Sequence, residues 1–92
     1  MRVKFYANIR QVARVPFIEI DAKDISNIKL LLRYLYKEFG SEMGDVLYEK
    51  DGTISKNINI LIDGRSIYDL EYEKTHLKND MTIVLLSKTA GG

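Results

Sequence analysis

The first two apolar stretches of the chain have the pattern of β-strands. In the first, Val3, Phe5 and Ala7 alternate with two basic residues and a tyrosine, so that they share one face. The second runs from Val15 to Ile20 and is also rich in large apolar residues. Two short strands in succession are typical of a β-hairpin. The sequence therefore predicts a hairpin in which residues 8–14 form the connecting loop.

The hydrophobic period then changes to three or four residues, which is the period of a helix. Ser26 is the expected N-cap because its hydroxyl can accept a hydrogen bond from an N–H of the first turn. Gly40 directly follows the last apolar position, as expected of a residue that ends a helix with a positive φ. These features predict one long helix of about three turns. Its apolar stripe comprises Ile28, Leu31, Leu32, Leu35 and Phe39.

The second half of the chain predicts three further strands. Residues 41–51 fit either a short helix or an extended piece. Alternating isoleucines at 58–62 predict a strand, the Asp63-Gly64 pair a tight turn, and residues 65–68 a short returning strand. Residues 81–86 are apolar nearly throughout, which is typical of a central strand covered on both sides.

The order of these elements indicates an α+β protein with a single sheet packed on one main helix. The last strand is expected in the middle of the sheet, beside the first. The pattern divides the chain into a domain over residues 1–86 and a tail over residues 87–92. This order of strands and helix suggests a β-grasp without establishing it.

Composition excludes several classes of function. The chain has 92 residues and a net charge of +1, so no strong field attracts nucleic acid or an acidic membrane. It has no cysteine, which excludes disulfides, thiolate metal sites and a cysteine nucleophile. No phosphate-binding glycine motif, no apolar run of about 20 residues and no signal-peptide pattern is present. We expect a cytoplasmic protein that binds no cofactor or metal itself.

His76 is the one histidine and lies in a predicted loop. A general base or metal ligand is the functional interpretation. We favour an ordinary loop histidine because no second ligand or nucleophile can be placed beside it.

The last two residues, Gly91 and Gly92, are the most informative feature. A frayed terminus is one interpretation. The other is a reactive terminal carboxylate on a slender probe, because glycine has no Cβ and can pass through a narrow channel. The six residues from Ser87 to Gly92 reach about 20 Å when extended. A partner protein would then supply ATP, positioning and the nucleophile.

Several segments together resemble the MoaD/ThiS family of ubiquitin-like sulfur carriers over nearly the whole chain. Singly each is weak, but they occur in the family's order and at the correct end. They are Phe5-Tyr6-Ala7, the helix with Leu31, Leu32 and Leu35, Ile60-Leu61-Ile62-Asp63-Gly64-Arg65, Leu77-Lys78-Asn79-Asp80-Met81, and Ala90-Gly91-Gly92.

The resemblance implies a ubiquitin-like β-grasp and a carrier that is not an enzyme by itself. An E1-like enzyme of the MoeB/ThiF type would adenylate Gly92 with Mg-ATP, and sulfur would replace AMP to give a thiocarboxylate. Thr89, Ala90 and Gly91 would form the tail. A MoaE-type large subunit would complete molybdopterin synthase, for molybdenum or tungsten cofactor.

The resemblance departs from the family just before the tail. Many MoaD-like chains have an aromatic residue and Pro-Pro-Val there, whereas this chain has Leu85-Leu86-Ser87-Lys88-Thr89. This difference keeps open carriers for thiamine synthesis or tRNA thiolation. It also keeps open protein modifiers of the small archaeal or Urm1 type, which would pass Gly92 to a lysine.

Strand alternation also predicts a partner-binding face. If Val3, Phe5, Ile83 and Leu85 face the helix, the opposite side of the sheet carries Tyr6, Leu61, Val84 and Leu86. An apolar patch near the start of the tail would suit docking. The alternative is a modestly apolar sheet face that is simply solvated.

Overall fold

This computed structural model describes residues 1–88, which form five strands, three α-helices and two 3-10 turns. The strands are β1 (Arg2–Phe5), β2 (Phe17–Glu19), β3 (Ile58–Ile62), β4 (Arg65–Ser66) and β5 (Thr82–Ser87). The helices are α1 (Ala7–Ala13), α2 (Ile28–Phe39) and α3 (Ser41–Leu47), and two 3-10 turns span Ile67–Asp69 and Tyr72–Lys74.

The strands form one mixed sheet in the order β2-β1-β5-β3-β4. β1 and β5 are parallel, with Val3 opposite Ile83, and the other neighbouring pairs are antiparallel. A parallel pair requires a crossover connection, and the chain between β1 and β5 includes α2. The predicted α+β class, with one sheet on one main helix and the last strand beside the first, is confirmed.

The core lies between the inner face of the sheet and the apolar stripe of α2. Burying one such Leu, Ile or Phe side chain contributes about 1.5–3 kcal/mol. The Phe5 ring meets the Phe39 ring edge to face at 5.7 Å, which joins β1 to the end of α2. The side chains that are at most 1% exposed include Val3, Phe5, Ile28, Leu31, Leu32, Leu35, Ile83 and Leu85. The predicted inner face and helix stripe are therefore confirmed.

Helix α2 begins one residue later than predicted. Its N-cap is Asn27, whose Oδ1 accepts a hydrogen bond from the Leu30 N–H at 2.9 Å. The Ser26 carbonyl instead accepts from the Leu77 N–H, so the chain is still paired laterally at residue 26. The helix ends at Gly40, which has the expected positive φ, 93°. The predicted N-cap was wrong because a lateral hydrogen bond holds Ser26 outside the helix.

The predicted loop over residues 8–14 is largely helix α1. Ile9 and Ala13 are buried on its inner side, one turn apart. Burial of these two side chains stabilises a seven-residue helix that is too short to be stable alone. The hairpin pairing of β1 with β2 is as predicted, but its connection is helical.

Three other segments differ in detail from the sequence pattern. For residues 41–51 the sequence allowed a short helix or an extended piece. They form α3, which is followed by a β-bridge between Tyr48 and Ile54. The returning strand after Gly64 is only β4, because Ile67 turns inward and is buried. β5 extends to Ser87 and is fully buried on one face only, since Val84 and Leu86 remain half-buried.

Replacing Arg14 with glycine is expected to raise the free energy of unfolding by about 0.5 kcal/mol. Arg14 ends α1 with φ 65° and ψ 10°, a left-handed conformation that costs a side-chain-bearing residue about 1 kcal/mol. The greater flexibility of unfolded glycine offsets part of that gain. Urea denaturation measures the change. The matched control, Arg10→Gly inside α1, should lose about 1 kcal/mol. A less stable Arg14→Gly variant would contradict the expectation.

Candidate functional site: the outer sheet face and the start of the tail

The outer face is the side of the sheet that points away from α2. Residues opposite each other on neighbouring strands share a face. The register places Lys4 and Leu61 on either side of Val84, and Leu86 opposite Asn59. The strand residues of the outer face are therefore Arg2, Lys4, Phe17, Glu19, Asn59, Leu61, Ser66, Thr82, Val84 and Leu86.

Three of the four predicted partner-binding residues lie together on this outer face. Leu61 is directly opposite Val84, Leu86 is two residues further along β5, and all three side chains are half-buried. Tyr6 follows β1, and its N–H donates to the Leu85 carbonyl at 3.0 Å, so it continues the ladder beside Leu86. The Tyr6 side chain is 44% exposed. The geometry is that of an apolar patch, and its role in docking stays a prediction.

Phe17, which sequence reasoning did not assign to the patch, extends its apolar surface toward β2. Its ring is 42% exposed, and the Arg2 guanidinium lies over it, 4.4 Å from the ring centroid. Arg2 also pairs with Glu19 at 2.7 Å. That hydrogen bond, reinforced by the charge of Arg2, lowers the pKa of Glu19 below its usual value. The sequence did contain a signal for this position, because Phe17 alternates with the inward Ile18 and Ile20 and should therefore face outward.

The tail root, Ser87 and Lys88, is fixed to the start of β3. Ser87 ends β5 opposite Ile58, and the Lys88 N–H donates to the Asn57 carbonyl at 2.6 Å. The Lys88 Nζ lies 4.9 Å from the centroid of the Tyr68 ring. The predicted tail residues Thr89, Ala90, Gly91 and Gly92 lie outside the described residues.

The Tyr68 ring, which contacts the tail root, belongs to an aromatic pair with Tyr72. The Tyr68 and Tyr72 rings are 5.4 Å apart, and Tyr68 is 50% exposed. Burial raises the pKa of Tyr72, and the neighbouring Tyr68 adds to that shift. Both rings come from the 3-10 turns between β4 and β5. The fold brings the Tyr68 ring beside Lys88, which is distant from it in sequence.

His76, the other candidate functional residue, lies in no group of potential metal ligands within residues 1–88. His76 is exposed and forms a β-bridge with Asn27, which places it in a backbone pairing. Among residues 1–88, no group of three or more His, Asp or Glu side chains is arranged to hold a metal ion. In the same residues, no helix has the length and apolar character needed to cross a bilayer.

Comparison with known proteins depends on solved structures. No protein-family model and no curated protein matches the chain. The small archaeal modifier protein 1 of Methanosarcina acetivorans is 28% identical with a TM-score of 0.82, and the match covers 99% of this chain and 94% of that protein. The chain therefore has the ubiquitin-like β-grasp fold. The predicted resemblance to the MoaD/ThiS type is confirmed.

Two further β-grasp proteins show how widely this fold is used. A protein of the BexX/CysO complex from Amycolatopsis orientalis matches at 13% identity and a TM-score of 0.79, covering 99% of this chain and 98% of that one. A Pyrococcus furiosus protein assigned as molybdopterin converting factor subunit 1 matches at 22% identity and a TM-score of 0.68, covering 94% and 93%. The chain thus shares the fold of both proteins over nearly its whole length.

Proposed function

We propose that this protein is a sulfur carrier whose Gly92 carboxylate is adenylated and converted to a thiocarboxylate, for use in molybdopterin synthesis. The observation that supports it is the position of Gly91-Gly92. The pair follows β5 closely in a β-grasp domain, four residues at most beyond the fixed Lys88. The domain provides a rigid holder for such a tail, and glycine gives the reacting carbonyl an unhindered neighbour.

The chemistry divides between the carrier and its partners. A Gly92 carboxylate oxygen attacks the α-phosphorus of Mg-ATP, and pyrophosphate leaves. Hydrosulfide then attacks the Gly92 carbonyl carbon, and AMP leaves with the C–O bonding pair. Since the chain has no cysteine, the sulfur is carried on the terminus and not on a side chain. The carrier contributes positioning, and its partner contributes catalysis.

The partners of this proposal are an E1-like adenylating enzyme of the MoeB/ThiF type and a MoaE-type large subunit. The assigned function of the Pyrococcus furiosus protein supports the second, and the complex that contains CysO supports a role carried out in association with another protein. The outer face, continuous along β5 with the tail root, is the surface on which the adenylating enzyme would dock.

The second candidate is a ubiquitin-like protein modifier, in which a lysine amine of another protein displaces AMP from Gly92. Two observations favour it. The small archaeal modifier protein is more similar to this chain than the molybdopterin factor is, at 28% against 22% identity. The Pro-Pro-Val segment of many MoaD-like chains is also absent here.

Intact-mass analysis of the protein purified from its native host separates the two functions. A carrier should show a form heavier by the difference between one sulfur and one oxygen atom, and alkylation should label it at the terminus. A modifier should instead leave remnants of Thr89-Ala90-Gly91-Gly92 on the lysines of other proteins after trypsin digestion, because trypsin cleaves after Lys88. Expression of a chain lacking Gly92 is the control, which should show neither. Unmodified wild-type chain and no remnants would contradict both functions.

A further inference from the structure

Lys88 is held at two points, one on its backbone and one on its side chain. Its N–H donates to the Asn57 carbonyl, and its ammonium lies over the Tyr68 ring at 4.9 Å from the centroid. The backbone contact fixes where residue 88 lies, and the ring contact restrains its side chain. Residues 89–92 follow residue 88 in the chain, and residue 88 is held by both its backbone and its side chain.

The Tyr68 ring, which contacts the ammonium, packs against a second aromatic ring, and the Tyr68 backbone is held by a hydrogen bond. The Tyr68 N–H donates to the Ser66 hydroxyl at 3.2 Å within the first 3-10 turn, and the Tyr72 ring lies 5.4 Å away. In the part of the chain that the structure describes, the one ion pair joins Arg2 and Glu19. No carboxylate of residues 1–88 therefore pairs with Lys88, and the Tyr68 ring is the contact that holds its charge.

We propose that Lys88, acting through Tyr68, is a positioning residue that presents the tail to the adenylating enzyme. This inference rests on the proposed function. Each residue that is already ordered before docking lowers the entropy lost on docking. A cation–π contact at an exposed site has a strength equivalent to about a two- to fivefold change in an equilibrium constant. We therefore expect loss of the contact to raise KM for the carrier by this factor and to leave kcat unchanged.

A double-mutant cycle tests this role with purified carrier, the adenylating enzyme of the same organism and Mg-ATP. ATP–pyrophosphate exchange gives KM for the carrier and kcat. Lys88→Met and Tyr68→Leu should each raise KM about two- to fivefold and leave kcat unchanged. The double variant should lose no more than either single variant, because both remove the same contact. Lys88→Arg and Tyr68→Phe should retain the wild-type KM.

Controls address general effects of charge and aromatic loss. Lys78→Met removes another exposed lysine, and Tyr36→Leu removes a 48% exposed tyrosine that packs on Tyr48 instead. Neither should change KM. In the free protein, the Lys88 ε-methylene protons should be shifted upfield by the Tyr68 ring, and the shift should vanish in Tyr68→Leu.

The outcomes separate this inference from the proposed function. If the wild-type chain is not adenylated, the proposed function fails and the inference fails with it. If the wild-type chain is adenylated but the two losses add, Lys88 contacts the enzyme directly and Tyr68 does not position it. An unchanged KM in both single variants, or the absence of the ring-current shift, overturns the inference alone.

Discussion

Removal of Gly91 and Gly92 is expected to abolish adenylation of the chain while leaving its fold intact. The truncated chain ends in a carboxylate about 7 Å short of the original one. A displacement of about 1 Å of a reacting group can already cost about a hundredfold in rate, so the loss should be at least that large. ATP–pyrophosphate exchange with the purified adenylating enzyme measures it.

The fold should be unaffected because the described core ends before the tail. Among residues 1–88, the last buried apolar residue is Leu85, and the Lys88 backbone contact remains in the truncated chain. The free energy of unfolding should therefore change by less than about 0.5 kcal/mol, as urea denaturation can verify.

An extended chain with two alanines after Gly92 is the matched control for this truncation. It keeps every native residue but moves the carboxylate away from its place, so it should also lose adenylation. Ala90→Ser, which changes the tail without moving its end, should remain active. Wild-type exchange rates in either the truncated or the extended chain would show that the terminal carboxylate is not the reacting group.

The strands and the long helix were predictable because their burial is periodic. Ile58, Ile60 and Ile62 alternate with more exposed residues, and all three are buried. The turn that follows was equally clear, since Asp63 and Gly64 both have positive φ, 49° and 88°. Period and turn chemistry are local properties, so a sequence displays them without knowledge of the fold.

The short helices were not predictable for the opposite reason. Helix α1 has no side-chain cap, because its N-cap is Tyr6, and it ends at Arg14 where glycine would be usual. Helix α3 contains Gly44, which lowers its helix propensity but leaves room for the Tyr36 ring, 3.0 Å from where a Cβ would lie. Both helices depend on contacts with the rest of the fold, which no local signal encodes.

The candidate site also has one part that was predictable from the sequence and one part that was not. Alternation along β3 and β5 placed Leu61, Val84 and Leu86 on one face, as the register shows. The contact between Lys88 and Tyr68 joins residues twenty positions apart, and it exists because the 3-10 turn after β4 brings the ring beside the end of β5. Sequence reasoning had no means to pair two such residues.

Leu86→Asp is expected to weaken binding of the adenylating enzyme by about thirtyfold, which corresponds to about 2 kcal/mol for an apolar residue at the centre of an interface. Leu86 is half-buried on the outer face, close to the tail root along β5. A carboxylate placed there would be desolvated by a docked partner without a counter-charge. Calorimetric titration of the enzyme with the carrier measures the change.

Two matched variants distinguish loss of the apolar contact from other effects of Leu86→Asp. Asn59→Asp adds the same charge on the neighbouring strand, directly opposite Leu86, without removing an apolar side chain. It should weaken binding much less. Leu85→Asp changes the adjacent residue, which is 0% exposed on the inner face, and should instead unfold the domain because it buries an unpaired charge. If Leu86→Asp binds as tightly as the wild type while remaining folded, the outer face is not the docking surface. If Asn59→Asp weakens binding equally, charge and not apolar contact governs this surface.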